Sequence, residues 1–214
     1  PAPGTAPKRN WQIARAMASR ADKSIVYTVS YPDKAKLEEK GMEIRYGTAY
    51  DYRRWLRRNT KDGYLPEQLK QGYWKQWIVR LINTFPFSVL LGEGGLFYFL
   101  NLVFKGRKTI RTEKITHLYS SFRPFADHYA AYWLKKLNPQ LYWIADFRDL
   151  MVDPHYHHIF FEKAHQRFFK RIFSKADLLT TVSDGLAKHL LHYNSKVITS
   201  RNGIEGQIVI PSPV

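Results

Sequence analysis

The chain contains no cysteine among its 214 residues, so neither a disulfide nor a thiolate metal site is open to it, and a reducing compartment suits it. Acidic residues are scarce: 18 Asp and Glu stand against 34 Lys and Arg, a formal charge of +16. So one-sided a balance points to anionic partners, namely the phosphates of nucleic acid, of lipid head groups or of a nucleotide-linked substrate. Long apolar runs are also lacking. The two richest stretches are interrupted by Pro86, Glu93 and the glycines at 92, 94 and 95, whereas a bilayer span needs about 18 unbroken apolar residues. No secretory signal, internal repeat or low-complexity tract is visible.

What is present is a globular composition, 44% hydrophobic and 15% aromatic, in a chain long enough for one full domain with a sizeable core. The charge is unevenly spread. Residues 51–114 hold 13 basic and 5 acidic side chains, half of the net excess in under a third of the chain.

Residues 1–8, with three prolines, read as irregular. A helix is expected over 10–21, a strand over 24–30, a short helix over 34–40 ended by Gly41, and a strand over 42–46. From 115 the alternation resumes: strand 115–120, helix 126–137, strand 141–145, a basic amphipathic helix ending near Ser174, strand 177–182, a helix capped by Ser183 or Asp184, and strand 197–200. Such alternation predicts an α/β fold with a Rossmann-like parallel sheet and helices on both faces. A glycine loop normally emerges from a strand in this architecture, and the chain begins inside such a loop, so a first strand is expected before Pro1.

Residues 51–114 interrupt this pattern. Trp74, Trp77, Ile78, Leu81, Ile82 and Phe85 fall at helical spacing on one face, opposite Lys75, Gln76, Arg80 and Asn83. A second apolar run, residues 96–104, leads into Lys105, Arg107, Lys108 and Arg111. Aromatics flanked by Lys and Arg fit helices lying in an anionic membrane interface; the alternative is two amphipathic helices packed on the sheet.

The run Leu-Tyr-Trp-Ile-Ala-Asp-Phe-Arg-Asp-Leu at 141–150 places Asp146, Arg148 and Asp149 at the end of a buried strand, the edge where ligand sites of open α/β sheets collect. An ion pair that merely closes the loop is the alternative. The same edge should carry Ser121 and Arg123, the latter suited to gripping a phosphate in bidentate fashion, with His128 one turn into the following helix.

Three stretches coincide in order: Pro-Gly-Thr-Ala-Pro-Lys-Arg (3–9), Trp-Ile-Ala-Asp-Phe-Arg-Asp-Leu (143–150), and Ala-Asp-Leu-Leu-Thr-Thr-Val-Ser-Asp-Gly-Leu (176–186) closed by Asn-Gly-Ile-Glu (202–205). Together they resemble the N-terminal half of a glycosyltransferase family 4 enzyme of GT-B architecture. The resemblance implies that residues 1–205 form the acceptor-side domain, with a basic aromatic insertion at 51–114. Residues 206–214 would be a linker remnant towards a C-terminal donor domain, without which the chain should not turn over. The implied reaction moves a hexosyl group from a nucleotide sugar, a co-substrate and not a cofactor, to a sugar or lipid-linked acceptor, with retention at the anomeric carbon. The expected location is cytoplasmic, and peripheral contact with the inner face of the plasma membrane is expected from the 51–114 segment.

By position in the matched motifs, Gly4 and Thr5 would approach the donor phosphates, where a close backbone and a helix N-terminus favour anions. Asn202 and Gly203 would form the turn beside the cleft, and Asn-Gly is in any case a good turn dipeptide. Asp146 and Asp149 would serve the acid–base chemistry of the acceptor hydroxyl, and Ser121, Arg123, His128, Arg148 and Ser183 would bind substrate. Many family members use a histidine as base; His155, His157 and His158 do not match its position. They also lack a further ligand at suitable spacing, so no metal site is expected. Two rival readings stand beside this one. A non-catalytic basic module for nucleic acid or anionic lipid would explain the charge, although the aromatics fall at helical, core-like spacing and not on a strand platform, so no nucleic acid is expected. A GT-B sugar-nucleotide epimerase would leave the basic aromatic insertion without a purpose.

Overall fold

The computed structural model describes residues 5–29, 41–47, 73–91, 95–122, 124–152 and 159–202. In chain order these form α1 (Thr5–Ala18), β1 (Ile25–Val29), β2 (Glu43–Gly47), α2 (Tyr73–Asn83), α3 (Phe87–Leu90), α4 (Gly95–Thr112), β3 (His117–Ser121), α5 (Phe125–Leu137), β4 (Tyr142–Phe147), α6 (Glu162–Phe173), β5 (Leu178–Thr181), α7 (Asp184–Leu190) and β6 (Val197–Thr199). The helix expected over 34–40 lies outside the described residues.

Every pair of described strands is parallel, as the alternation of strands and helices predicts. The described strands make two sheets: β1 beside β2, and a four-stranded sheet ordered β3-β4-β5-β6. The chain is therefore a Rossmann-like α/β protein. In the larger sheet each strand is followed by a helix and then by its spatial neighbour, so the carboxyl ends of all four strands share one edge.

β4 is the centre of that sheet. Its alternation sends Trp143, Ala145 and Phe147, all fully buried, to one face and Asp146 to the other. On the first face, Phe147 meets His128 of α5 at 4.7 Å and Phe173 of α6 at 4.9 Å between ring centroids. Phe169 and Ile172 of α6 and Leu179 of β5 complete this core. On the second face, Arg9 of α1 reaches Asp146. Helices thus cover both faces at the carboxyl edge.

Two expectations are corrected here. Pro7 and Lys8 fall inside α1, which begins at Thr5 and not near residue 10. A proline in the first turn is tolerated because its missing N–H would have had no helical acceptor. Asp146 does not follow its strand but lies within it, because burial of Phe147 carries the strand onward.

In the segment around residue 80, Trp77 is 55% exposed while Arg80 is half-buried, the reverse of a simple amphipathic assignment. Arg80 donates to the carbonyl of Ile159 and stacks over the Phe160 ring, which draws that face inward. Among the described residues no helix is long and apolar enough to cross a membrane.

α4 lies close against α5 because Gly106 has no side chain: a Cβ there would stand 2.9 Å from Cδ1 of the buried Leu134. Gly106→Leu is expected to lose about 1–3 kcal/mol in urea unfolding, the usual cost of overpacking, while Gly106→Ala, which gains helix propensity, stays nearer to neutral.

Candidate functional site

At the carboxyl edge Ser121, Asp146 and Thr180 stand in one register row across β3, β4 and β5, and therefore on one face. Asp146 is 0% exposed. One of its oxygens accepts from Arg9 Nη2 at 2.7 Å and from Thr180 Oγ1 at 2.7 Å; the other accepts from Arg9 Nε at 3.2 Å. The same guanidinium donates from Nη1 to the Ser200 carbonyl at 2.7 Å and to Asn202 Oδ1 at 3.3 Å. Next to it, Ser121 donates to Asn10 Oδ1 at 3.0 Å. α1 is thereby fastened to β3, β4 and the end of β6.

The electrostatics follow from this closure. Burial alone would lower the pKa of Arg9, but the hydrogen bonds and charge of Asp146 outweigh it and hold the guanidinium above the usual arginine range. Tyr119, also facing Asp146, is raised well above the ordinary phenol by burial first and by that carboxylate second.

The other expected site residues divide. Arg148 donates from Nε and Nη2 to the Phe122 carbonyl, at 3.2 and 3.1 Å, and so closes the loop after β3 without using either aspartate. Asp149 is exposed at the same edge and has no polar contact with another described side chain. Ser183 is the N-cap of α7, accepting from the Leu186 N–H at 3.3 Å. Thr5 is the first residue of α1. Gly4, Arg123, Gly203 and the histidines at 155, 157 and 158 lie outside the described residues.

His128 is not at the surface of the site but beneath it. It is 0% exposed, stacked near Phe122 and Phe147, with Nδ1 2.7 Å from the Ser120 hydroxyl. Trp143 Nε1–H donates to that hydroxyl at 2.8 Å, so the chain Trp143, Ser120, His128 runs under the edge. A hydroxyl that accepts from Trp143 and donates to Nδ1 leaves the imidazole proton on Nε2. Burial pushes the His128 pKa down to about 3, against a smaller upward pull from Asp146.

Four members of the site went unforeseen in the sequence: Arg9, Asn10, Thr180 and the Ser200 carbonyl. Arg9 closes the first quoted motif, and its place there was the available signal. A cleft of about 420 Å³ lined by Tyr27, Arg45, Lys105 and Lys108 lies against the C-terminal half of α4, and none of the motif residues lines it.

No family model matches this chain, and no curated protein sequence matches it.

Removing one partner of a buried pair leaves an uncompensated charge, so Arg9→Met is expected to cost about 3–5 kcal/mol in denaturant unfolding. The double change Arg9→Met with Asp146→Leu should recover much of that loss; if the two single losses simply add, the pair is not coupled. Folding strips the proton from His128, so acid favours unfolding: its contribution is complete above about pH 6.5 and is lost as pH falls from there towards about 3. The expected slope is up to about 1.4 kcal/mol per pH unit in that window, and His128→Phe should flatten it.

Proposed function

We propose that this chain is the acceptor-side half of a GT-B glycosyltransferase that moves a sugar from a nucleotide sugar to a lipid-linked or polysaccharide acceptor at a membrane face. One observation carries the reading. Arg9 of the first motif binds Asp146 of the second and Asn202 of the third, so a single side chain ties together the three stretches that suggested the family.

The chemistry divides the two aspartates. Asp146 has donors on both oxygens and stands in the interior, where it serves as the counter-ion that positions Arg9 and the edge. Asp149 is the exposed carboxylate, and in this reading it accepts the acceptor hydroxyl's proton as the glycosyl bond forms. Arg148, held by the Phe122 carbonyl through Nε and Nη2, offers Nη1 to a phosphate or hydroxyl of the incoming acceptor. The nucleotide diphosphate is the leaving group, and its binding belongs to the donor half that the resemblance implies. No cofactor enters the reaction.

Membrane contact through residues 51–114 belongs to the same reading. Phe97, Phe104, Lys105, Lys108 and Arg111 of α4 are exposed, aromatic towards its start and basic towards its end. This distribution favours a lipid-linked acceptor over a soluble one, and a transferase over an epimerase.

The test is transfer of labelled sugar from a panel of nucleotide sugars to membrane lipid extract by the full-length polypeptide. Asp149→Asn should lower kcat by about 10²–10⁴-fold, the usual worth of a general base, with the melting temperature unchanged. Full activity in that variant would remove Asp149 from the chemistry, and the absence of any sugar-nucleotide-dependent transfer would overturn the reading.

A further inference from the structure

We infer that α6 and the residue that opens it form a second docking surface for an anionic lipid bilayer, at the carboxyl edge of the sheet and distinct from the exposed face of α4. The inference deepens the membrane part of the proposed function and rests on it.

α6 is buried through His165, Phe169, Ile172 and Phe173, and its opposite face is exposed. That outer face carries Lys163, Arg167, Lys170 and Arg171, all exposed and none with an ion-pair partner among the described residues. At about 100° per residue they fall within one arc of the helix, roughly a quarter of its circumference. The sole acidic residue of α6 is Glu162, at its first position. At about 100° per residue Glu162 lies outside the arc of the basic row, so no acidic residue of the helix falls within it. The long stems of Lys and Arg let such a row reach head groups while lying flat on them.

The N-terminal end of the row carries an exposed ring. Phe161 is 78% exposed and holds a left-handed backbone at φ 55, a conformation that bulky residues avoid. Its neighbours fix it there. The Phe161 carbonyl accepts from the N–H groups of Ala164 and His165, and the Phe160 N–H donates to Thr84 Oγ1 at 2.9 Å. His165 clamps the turn. The Phe85 N–H donates to its Nε2 at 2.9 Å, so its proton lies on Nδ1, which donates to the Phe161 carbonyl at 3.1 Å. Trp77, 55% exposed, stands beside this turn with its ring 5.7 Å from that of Phe160. An apolar ring is thus held in solvent against both hydration and backbone preference, a reason to look for a role in binding.

Charge complementarity selects the occupant. A cationic face with an apolar ring at one end is the pattern of a surface that seats Lys and Arg among anionic head groups and inserts an aromatic below them. Single-stranded nucleic acid calls instead for rings laid out as a stacking platform, whereas the Trp77 ring is already in contact with Phe160, tilted 58° against it. Because α6 follows β4, its first residue lies at the same sheet edge as Asp149, so a bilayer seated on Phe161 would present a lipid-linked acceptor where the proposed chemistry occurs.

The full chain is tested by co-sedimentation with vesicles of phosphatidylcholine alone and of an equimolar mixture with phosphatidylglycerol. Three variants accompany it: a triple Lys163→Gln, Arg167→Gln, Lys170→Gln chain, Phe161→Ser, and Phe97→Ser with Phe104→Ser on α4, each checked for an unchanged melting curve. Binding dependent on the anionic lipid, weakened roughly 100-fold in the triple variant and also reduced by Phe161→Ser, is the expected result. Wild-type binding retained by the triple variant but lost in the α4 variant overturns this inference while leaving membrane contact through 51–114 standing. Failure of the wild type to bind anionic vesicles overturns both, without touching the transfer assay. Release of the bound protein by sub-stoichiometric single-stranded RNA overturns it in favour of a nucleic-acid surface.

Discussion

The buried contact between Arg9 and Asp146 is the constraint on which the carboxyl edge depends. Taking a guanidinium and a carboxylate out of water costs several kcal/mol each, and their attraction offsets this only when the remaining hydrogen-bonding capacity is filled. Here it is filled from β5 by Thr180, from the end of β6 by the Ser200 carbonyl and from Asn202. One charge pair therefore specifies the position of α1 against three strands. An apolar substitute of equal volume would pack as tightly and define the register of α1 less sharply, because dispersion has little direction and a forked guanidinium has much.

Most of the fold was legible in the residues. β-branched and aromatic runs gave the strands within a residue or two, and the order of elements dictated parallel pairing. The divergences share a cause, which is that tertiary burial overrides local signals. Pro7 suggests a loop by itself, yet it occupies a helix turn where its missing N–H is harmless. Asp146 looks like the start of a loop, yet Phe147 beyond it is needed in the core and draws the strand on. His128 carries a polar ring, but it falls on the same helical stripe as Phe125, Ala131 and Leu134, all buried; that spacing was the readable sign of its position.

The site was legible by motif but not by contact. Asp146, Asn202 and Ser121 do converge, each through a partner on α1 that spacing alone could not supply. Contacts separated by 137 or 193 residues follow from topology, and the topology becomes visible only when the parallel order of β3, β4, β5 and β6 is known. The two aspartates of one motif then part company, one closed in and one open. No property of the Asp-Phe-Arg-Asp spacing distinguishes them; the alternation of β4 and the length of its burial do.

The division of the strands into two sheets has a consequence in time. The strand β4 is hydrogen-bonded on both sides, to β3 and to β5, and is buried on both faces near Asp146. Its amides meet solvent only when β4 separates from a neighbouring strand. β1 and β2 have one another alone among the described strands and are held to Thr109 of α4 and to Glu113 by the side chains of Lys23, Tyr27 and Arg45, a lighter hold than a neighbouring strand on either side would give. Deuterium should therefore enter this protein on two separate clocks, a fast one in the small sheet and a slow one around the Arg9 clamp, so that the small sheet can breathe or be nicked while the constellation at the carboxyl edge remains assembled.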